Sequence, residues 1–272
     1  MYFAHYAVHV PIEGRKDLIK KYENKKKGTL HNHAEYGAMV ESVDISVGKV
    51  LDALEKFDLR QNTIIVFISD NGGVAQFTSM KPLRGYKGTI YEGGIRVPLV
   101  ISWPGMIQPG SKCNFPVIGT DIYPTFLEVT NTPDPEQNLD GVNMLPLLKG
   151  KEKLNRDTLF WHFPAYLQGY RPGDNMRIRP CSAVRKGKYK LVEYFENGKL
   201  ELYNLKNDIS ETTNLVDSLP EIAKDLHDIL KSWRKKTNAP VPTTLNPAFD
   251  PAEFNKLDET YGEDLIIKNY SL

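Results

Sequence analysis

The chain has 272 residues, a formal net charge of +1, 40% hydrophobic residues and 25% charged residues. That balance is ordinary for a globular protein and gives no global attraction for nucleic acid or an anionic membrane. No apolar run approaches the roughly 20 residues needed to span a bilayer, and Cys113 and Cys181 are too few for a disulfide framework.

Met1 to Pro11 lacks the basic region and small-residue cleavage site of a signal peptide and reads as the interior of a domain. Tyr2 to Val8 is apolar and aromatic, which predicts a strand running into His9-Val10-Pro11. Residues 12–33 are polar and lysine-rich. Lys25-Lys26-Lys27 reads there as a solvated loop, and His31 and His33 as loop residues, rather than as a polyanion site or a metal clip. Met39, Val40, Val43, Val47, Val50, Leu51 and Leu54 recur at spacings of three and four, so residues 34–57 are expected to form a helix.

Thr63 to Ile68 is a continuous β-branched and aromatic run, the pattern of a strand covered on both faces, as in a parallel sheet. Ile95 to Trp103 is a second run, interrupted by Pro98. Helix 34–57 between strands 2–8 and 63–68 would make a β-α-β unit. Asp121 to Thr130 reads as a short helix. After Gly150 the pattern changes to short strands around Phe160 to Phe163, Ala183 to Arg185, Tyr189 to Phe195 and Leu200 to Leu205. Lys186-Gly187 and Asn197-Gly198 supply turns between them. Pro220 opens a helix to about residue 236, with Ile222, Leu226, Ile229, Leu230 and Trp233 as its apolar stripe. The expected organisation is an α/β core over 1–150, a small antiparallel β subdomain over 151–250 with helix 220–236, and an extended tail over 251–272.

Two places carry chemistry. Asp70 and Asn71 follow an apolar strand directly, and a carboxylate with an amide carbonyl suits Ca²⁺ or Mg²⁺. Gly72 and Gly73 let the chain turn away, although Ser-Asp-Asn-Gly-Gly alone is also a plain turn. Lys87 lies between Gly85 and Gly88, so backbone and ammonium can both approach a tetrahedral anion; the plainer alternative is a surface lysine in a glycine-rich loop. Arg84 is a further possible anion contact, whereas Glu92 and Arg96 read as residues that set loop geometry.

The string from Arg84 to Pro98 resembles the sulfatase family of the alkaline-phosphatase-like superfamily. So do Asp70-Asn71, Ala-Val-His-Val-Pro around His9, Phe-Trp-His-Phe-Pro around His162, and Leu202-Tyr203-Asn204-Leu205 followed by Glu211 and Asn214-Leu215. The resemblance runs from about residue 1 to about 250. It implies an α/β fold with a mixed sheet flanked by helices, incomplete here, plus a small antiparallel C-terminal sheet carrying one helix.

The same resemblance implies Asp70 and Asn71 as metal ligands for Ca²⁺, with Mg²⁺ the alternative. His9 and Lys87 become catalytic groups at the sulfate ester, and His162 and Arg84 substrate contacts. The family nucleophile is a formylglycine made from Cys-x-Pro-x-Arg or Ser-x-Pro-x-Arg. Cys181 to Arg185 has the spacing but Ala183 in place of proline, and Ser102-Trp-Pro104 has Met106 in place of arginine. The formylglycine segment is therefore expected in an N-terminal part absent from these residues, leaving a fragment inactive by itself that pairs with the missing half or self-associates. The implied substrate is a sulfated carbohydrate or an aryl sulfate, and the implied compartment is periplasmic or secreted. A phosphatase or phosphotransferase of the same superfamily, and a non-catalytic sulfatase-like binding chain, are the alternatives.

Overall fold

The structure is a computed structural model and describes residues 1–133, 135–167 and 177–244. The expected tail over 251–272 lies outside the described residues. In chain order the elements are α1 (Lys16–Glu23), α2 (Ala34–Lys56), β1 (Ile65–Ile68), α3 (Glu92–Ile95), β2 (Leu99–Ser102), α4 (Ile122–Val129) and α5 (Leu145–Leu148). They continue with β3 (Thr158–Phe163), β4 (Cys181–Lys186), β5 (Tyr189–Tyr194), β6 (Leu200–Asn204) and α6 (Pro220–Thr237). No described helix is long and apolar enough to cross a membrane.

The chain divides into two compact units. The first comprises Met1–Asp70, Phe77–Ser79 and Pro98–Arg156. Its long helix α2 follows the apolar spacing and buries Ala38 and Met39. The His33 ring accepts a hydrogen bond from the Tyr36 amide, so the residue caps α2 where a plain loop was expected. Residues 16–23, in the stretch read only as polar and lysine-rich, form α1; it buries Leu18, and Lys21 bonds both carboxylate oxygens of Glu41 on α2 at 2.7 and 2.8 Å.

The sheet of this unit differs from expectation. Strand β1 pairs antiparallel with β2, Ile65 opposite Ser102 and Ile68 opposite Leu99. Tyr2 to Val8 forms no strand, so the β-α-β unit is not built among the described residues. A strand is a ladder and not a property of one segment, and residues 2–8 have no ladder partner here. Phe67, Ile68 and Val100 remain exposed, so the run over 63–68 is not covered on both faces. Beyond the sheet, Asp121 is fully buried. It accepts from the amides of Ile118 at 2.9 Å and Val142 at 2.8 Å, and forms a bidentate pair with Arg156.

The second unit comprises Asn71–Gln76, Met80–Val97 and the described residues from Asp157 onward. Strands β3, β4, β5 and β6 form one antiparallel sheet in that order. Gly187 and Gly198 take φ of +57° and +70° in its turns, a region that suits residues without a Cβ. Side chains alternate between faces. Val184, Leu191 and Leu202 face α6 and pack with Ala223, Leu226 and Leu230. Ala183 and Val192 face the other way, against Ile90 and Ile178. The glycine-rich segment around Lys87 thus covers the sheet face opposite the helix.

Candidate active site

The Lys87 loop is held by its backbone. The Gly93 amide donates to the Arg84 carbonyl at 2.7 Å and closes the base of the loop. The Lys87 amide donates to the Gly73 carbonyl at 2.9 Å, and the Gly72 amide to the Gly94 carbonyl at 3.0 Å. Asn71-Gly72-Gly73 and the Lys87 loop are therefore one backbone knot. The knot explains its glycines: a Cβ on Gly72 would run into the Gly93 carbonyl, and one on Gly94 into the Thr89 carbonyl. Gly85 and Gly88 take φ of +77° and +92°, which strains any residue with a Cβ. The Thr89 hydroxyl donates to the Tyr86 carbonyl and accepts from the Tyr86 amide, tightening the tip.

Beneath the loop lies a buried charge cluster. Lys190, fully buried on β5, reaches Glu211 at 2.8 Å and Glu92 at 3.3 Å. Arg96 contacts the other Glu92 oxygen at 3.3 Å, and the Glu92 amide donates to Glu211 at 2.7 Å. Beside it, Glu201 accepts from the hydroxyls of Tyr91 at 2.8 Å and Tyr203 at 2.9 Å. Burial pushes Glu211 above its ordinary range, with Lys190 pulling the other way. Lys190, Glu201 and Tyr203 alternate onto this one face of the sheet, a polar stripe that the sequence reading takes for ordinary strand positions.

Of the expected site residues, the structure brings Asn71 and Lys87 into the same unit and the same knot. Asp70 is exposed and immediately precedes Asn71. His9, in the first unit, is exposed and places Nδ1 2.9 Å from the Val10 carbonyl. That bond makes Nδ1 the N–H position of the neutral ring and leaves Nε2 as the basic nitrogen.

Two of the expected substrate contacts are engaged inside the unit. Arg84 is drawn inward: its guanidinium stacks over the Tyr91 ring at 3.9 Å and donates to the Tyr203 hydroxyl at 2.8 Å and the Glu211 carbonyl at 3.0 Å. Burial disfavours its charge, but Tyr91, Tyr203 and Glu201 together hold it more firmly protonated than usual. His162 sits on the α6 side of the sheet, opposite the Lys87 loop, because it shares a face with Phe160 and pairs across from Ser182. Its Nε2 lies 2.8 Å from the Pro240 carbonyl and its Nδ1 2.6 Å from the Ser182 hydroxyl, so the ring donates to the first and accepts from the second. Burial lowers its pKa. Both residues are anchors inside the unit.

Cys181 is fully buried in β4, and burial pushes its thiol up to about 12. A thiol held protonated and covered is no nucleophile, in line with the failed motif around it.

For a divalent cation the donor chemistry of Asp70 and Asn71 is suitable but the number is not. Ca²⁺ takes roughly six to eight oxygens. Among the described residues no group of three or more His, Cys, Asp or Glu side chains is placed to hold a metal ion.

Residues 86–236, over half the chain, match the family model described as N-sulphoglucosamine sulphohydrolase, C-terminal, and residues 1–132 match the model described as Sulfatase. The chain belongs to the sulfatase family. It is 39% identical over 264 residues to a sulfatase of Formosa agariphila, covering 88% of this chain and 46% of that protein. To human steryl-sulfatase it is 35% identical over 175 residues, covering 60% of this chain and 28% of that protein. Among solved structures, Ps i-CgsB superposes with a TM-score of 0.72 at 31% identity, covering 85% of this chain and 49% of that one. A second structure of Ps i-CgsB, in complex with k-i-k-neocarrahexaose, gives 0.71 at 28%, covering 94% of this chain and 53% of that one. A protein solved with its substrate D-glucosamine-2-N,6-O-disulfate gives 0.63 at 25%, covering 78% of this chain and 42% of that one. The fold of this sulfatase chain is thus the mixed α/β fold of the alkaline-phosphatase-like superfamily, and the chain spans about half the length of the curated relatives it matches.

Proposed function

We propose that this chain works as part of a hydrolase that cleaves sulfate esters of a carbohydrate, and that it supplies the oxyanion-binding lysine and two metal-ligand oxygens to that site. The observation that carries the reading is the knot joining Asn71-Gly72-Gly73 to the Lys87 loop through the Lys87–Gly73 and Gly72–Gly94 bonds. Family membership and the carbohydrate complexes among its structural relatives support the substrate class.

In this reading the Lys87 ammonium binds a sulfate oxygen and stabilises the charge that grows there as the ester bond breaks. Its loop is rigid at the backbone, so little reorganisation accompanies the reaction. His9, oriented through Nδ1 by Val10, presents Nε2 to hold the sulfate or, when protonated, to donate to the leaving sugar oxygen. Asp70 and Asn71 would hold a Ca²⁺ or Mg²⁺ ion through two oxygens, with its other ligands from outside the described residues, and such an ion would balance sulfate charge. The nucleophile is assigned to a formylglycine likewise outside the described residues.

The test uses the whole protein that carries this chain, assayed on sulfate and phosphate esters of the same alcohol. Sulfate esters are the expected substrates, and Lys87→Ala should lower kcat/KM by about 10²–10³-fold, as loss of one oxyanion contact does elsewhere. Preference for the phosphate ester, or an unaltered rate in the variant, would overturn the proposal.

A further inference from the structure

The Lys87 backbone amide bonds the Gly73 carbonyl, and the loop that carries it contains two glycines at positive φ. The loop is tied to the Asn71 segment through Lys87 and Gly94, and its two ends carry further bonds. Both ends meet the same residue. At one end Arg84 donates to the Glu211 carbonyl at 3.0 Å, and at the other the Glu92 amide donates to Glu211 Oε2 at 2.7 Å. Glu211 is fully buried, and its remaining carboxylate oxygen takes the Lys190 ammonium at 2.8 Å. It lies 119 residues from Glu92 in sequence and belongs to the segment between β6 and α6.

We propose that Glu211 is a positioning residue that clasps both ends of the Lys87 loop and so fixes where the lysine ammonium stands. This rests on the reading of Lys87 as the oxyanion ligand and deepens it. Three features set Glu211 apart from a generic buried carboxylate. It joins the loop through main chain and side chain at once. It does so at a φ of +51°, where a residue with a Cβ is uncommon and stays only if its surroundings hold it. Its carboxylate is bonded by Lys190, which also bonds Glu92, so carboxylate, ammonium and loop base are linked to one another. The Gly72–Gly94 bond, two residues beyond Glu92, extends the clasp to the Asn71 segment. Misplacing a catalytic group by about 1 Å can cost about 10²-fold in rate, which gives such a clasp functional weight.

The test is amide-resolved hydrogen exchange on the full chain, wild type against Glu211→Gln. The variant keeps the shape but puts an NH₂ group against either the Glu92 amide or the Lys190 ammonium. The amides of Lys87 and Gly93 should exchange at least about tenfold faster, with those of Leu191 and Val192 within about twofold of wild type. Loop amides that do not change, or that change in step with the sheet, would overturn the clasp. Should the single variant fail to fold, Lys190→Met/Glu211→Gln replaces it, since without the ammonium the Gln oxygen is free to take the Glu92 amide. Loop protection within about threefold of wild type is then expected, and its absence counts against the proposal. Inorganic sulfate titrated into the wild-type and Lys87→Ala chains reports separately on the lysine. Equal binding there would remove the oxyanion reading and leave the clasp, whereas unaltered loop exchange would remove the clasp alone.

Discussion

A methyl group at position 72 has nowhere to go, because the Gly93 carbonyl already occupies its space. Gly72→Ala should therefore force the knot apart and cost about 1–3 kcal/mol, the usual range for overpacking. Gly119 has open space around its Cβ direction and an ordinary φ, so Gly119→Ala should stay within about 0.5 kcal/mol. Urea unfolding of the two variants distinguishes them, and equal effects would contradict the packing argument. Asp121 presents the same logic in charge. Asp121→Asn leaves the Arg156 guanidinium, itself only 14% exposed, facing a neutral amide. Breaking a buried pair from one side costs about 3–5 kcal/mol, which the same unfolding measurement reads.

At the scale of elements, α6 is fastened to the sheet in two ways. Leu226 and Leu230 fill the apolar face, and Leu230 is fully buried. Leu230→Ala should cost about 2–5 kcal/mol in thermal or urea unfolding. The second fastening is ionic: Glu193 on β5 lies 2.6 Å from Arg234 and 3.1 Å from His227 of the helix. Burial pushes the Glu193 carboxyl up, but Arg234 and His227 outweigh it and hold the group below its ordinary value of 4.5. A carboxyl depressed in the fold adds stability above its unfolded value and loses it as pH falls through the folded value. Lowering the pH below about 4.5 should therefore reduce the thermal midpoint, and Glu193→Gln should flatten that part of the profile. A variant with the same pH slope as wild type would show that the docking does not depend on this charge. The helix ends with Arg234, Lys235 and Lys236 in its last turn and Asn238 at φ +51°, an arrangement suited to the negative end of a helix.

At the scale of the whole molecule, the first unit keeps large apolar groups in solvent. Val100 is 61% exposed on β2, and Phe67 and Ile68 are exposed on β1. Each such side chain gains roughly 1.5–3 kcal/mol when fully covered, and a two-stranded ladder offers open edges. The isolated chain is expected to self-associate as its concentration rises, and Val100→Lys should weaken that association. Sedimentation velocity over a range of concentrations checks both statements. A wild-type chain that stays monomeric throughout would remove this reading of the exposed residues.

Local signals in the sequence were enough for α2, α6, the turn at Gly187 and strands β3 to β6. Each rests on periodicity, turn chemistry or a motif contained within a few tens of residues. Tertiary structure decided the rest. Strand pairing depends on which partner is present, so apolarity over 63–68 could not tell a parallel interior strand from one member of an antiparallel pair. Whether Arg84 and His162 reach a ligand or anchor the fold depends on Tyr203, Glu211, Ser182 and Pro240, up to 127 residues away. Glu211 becomes the clasp of the Lys87 loop only because a distant segment carries its carboxylate to both loop ends, a convergence that no local pattern encodes.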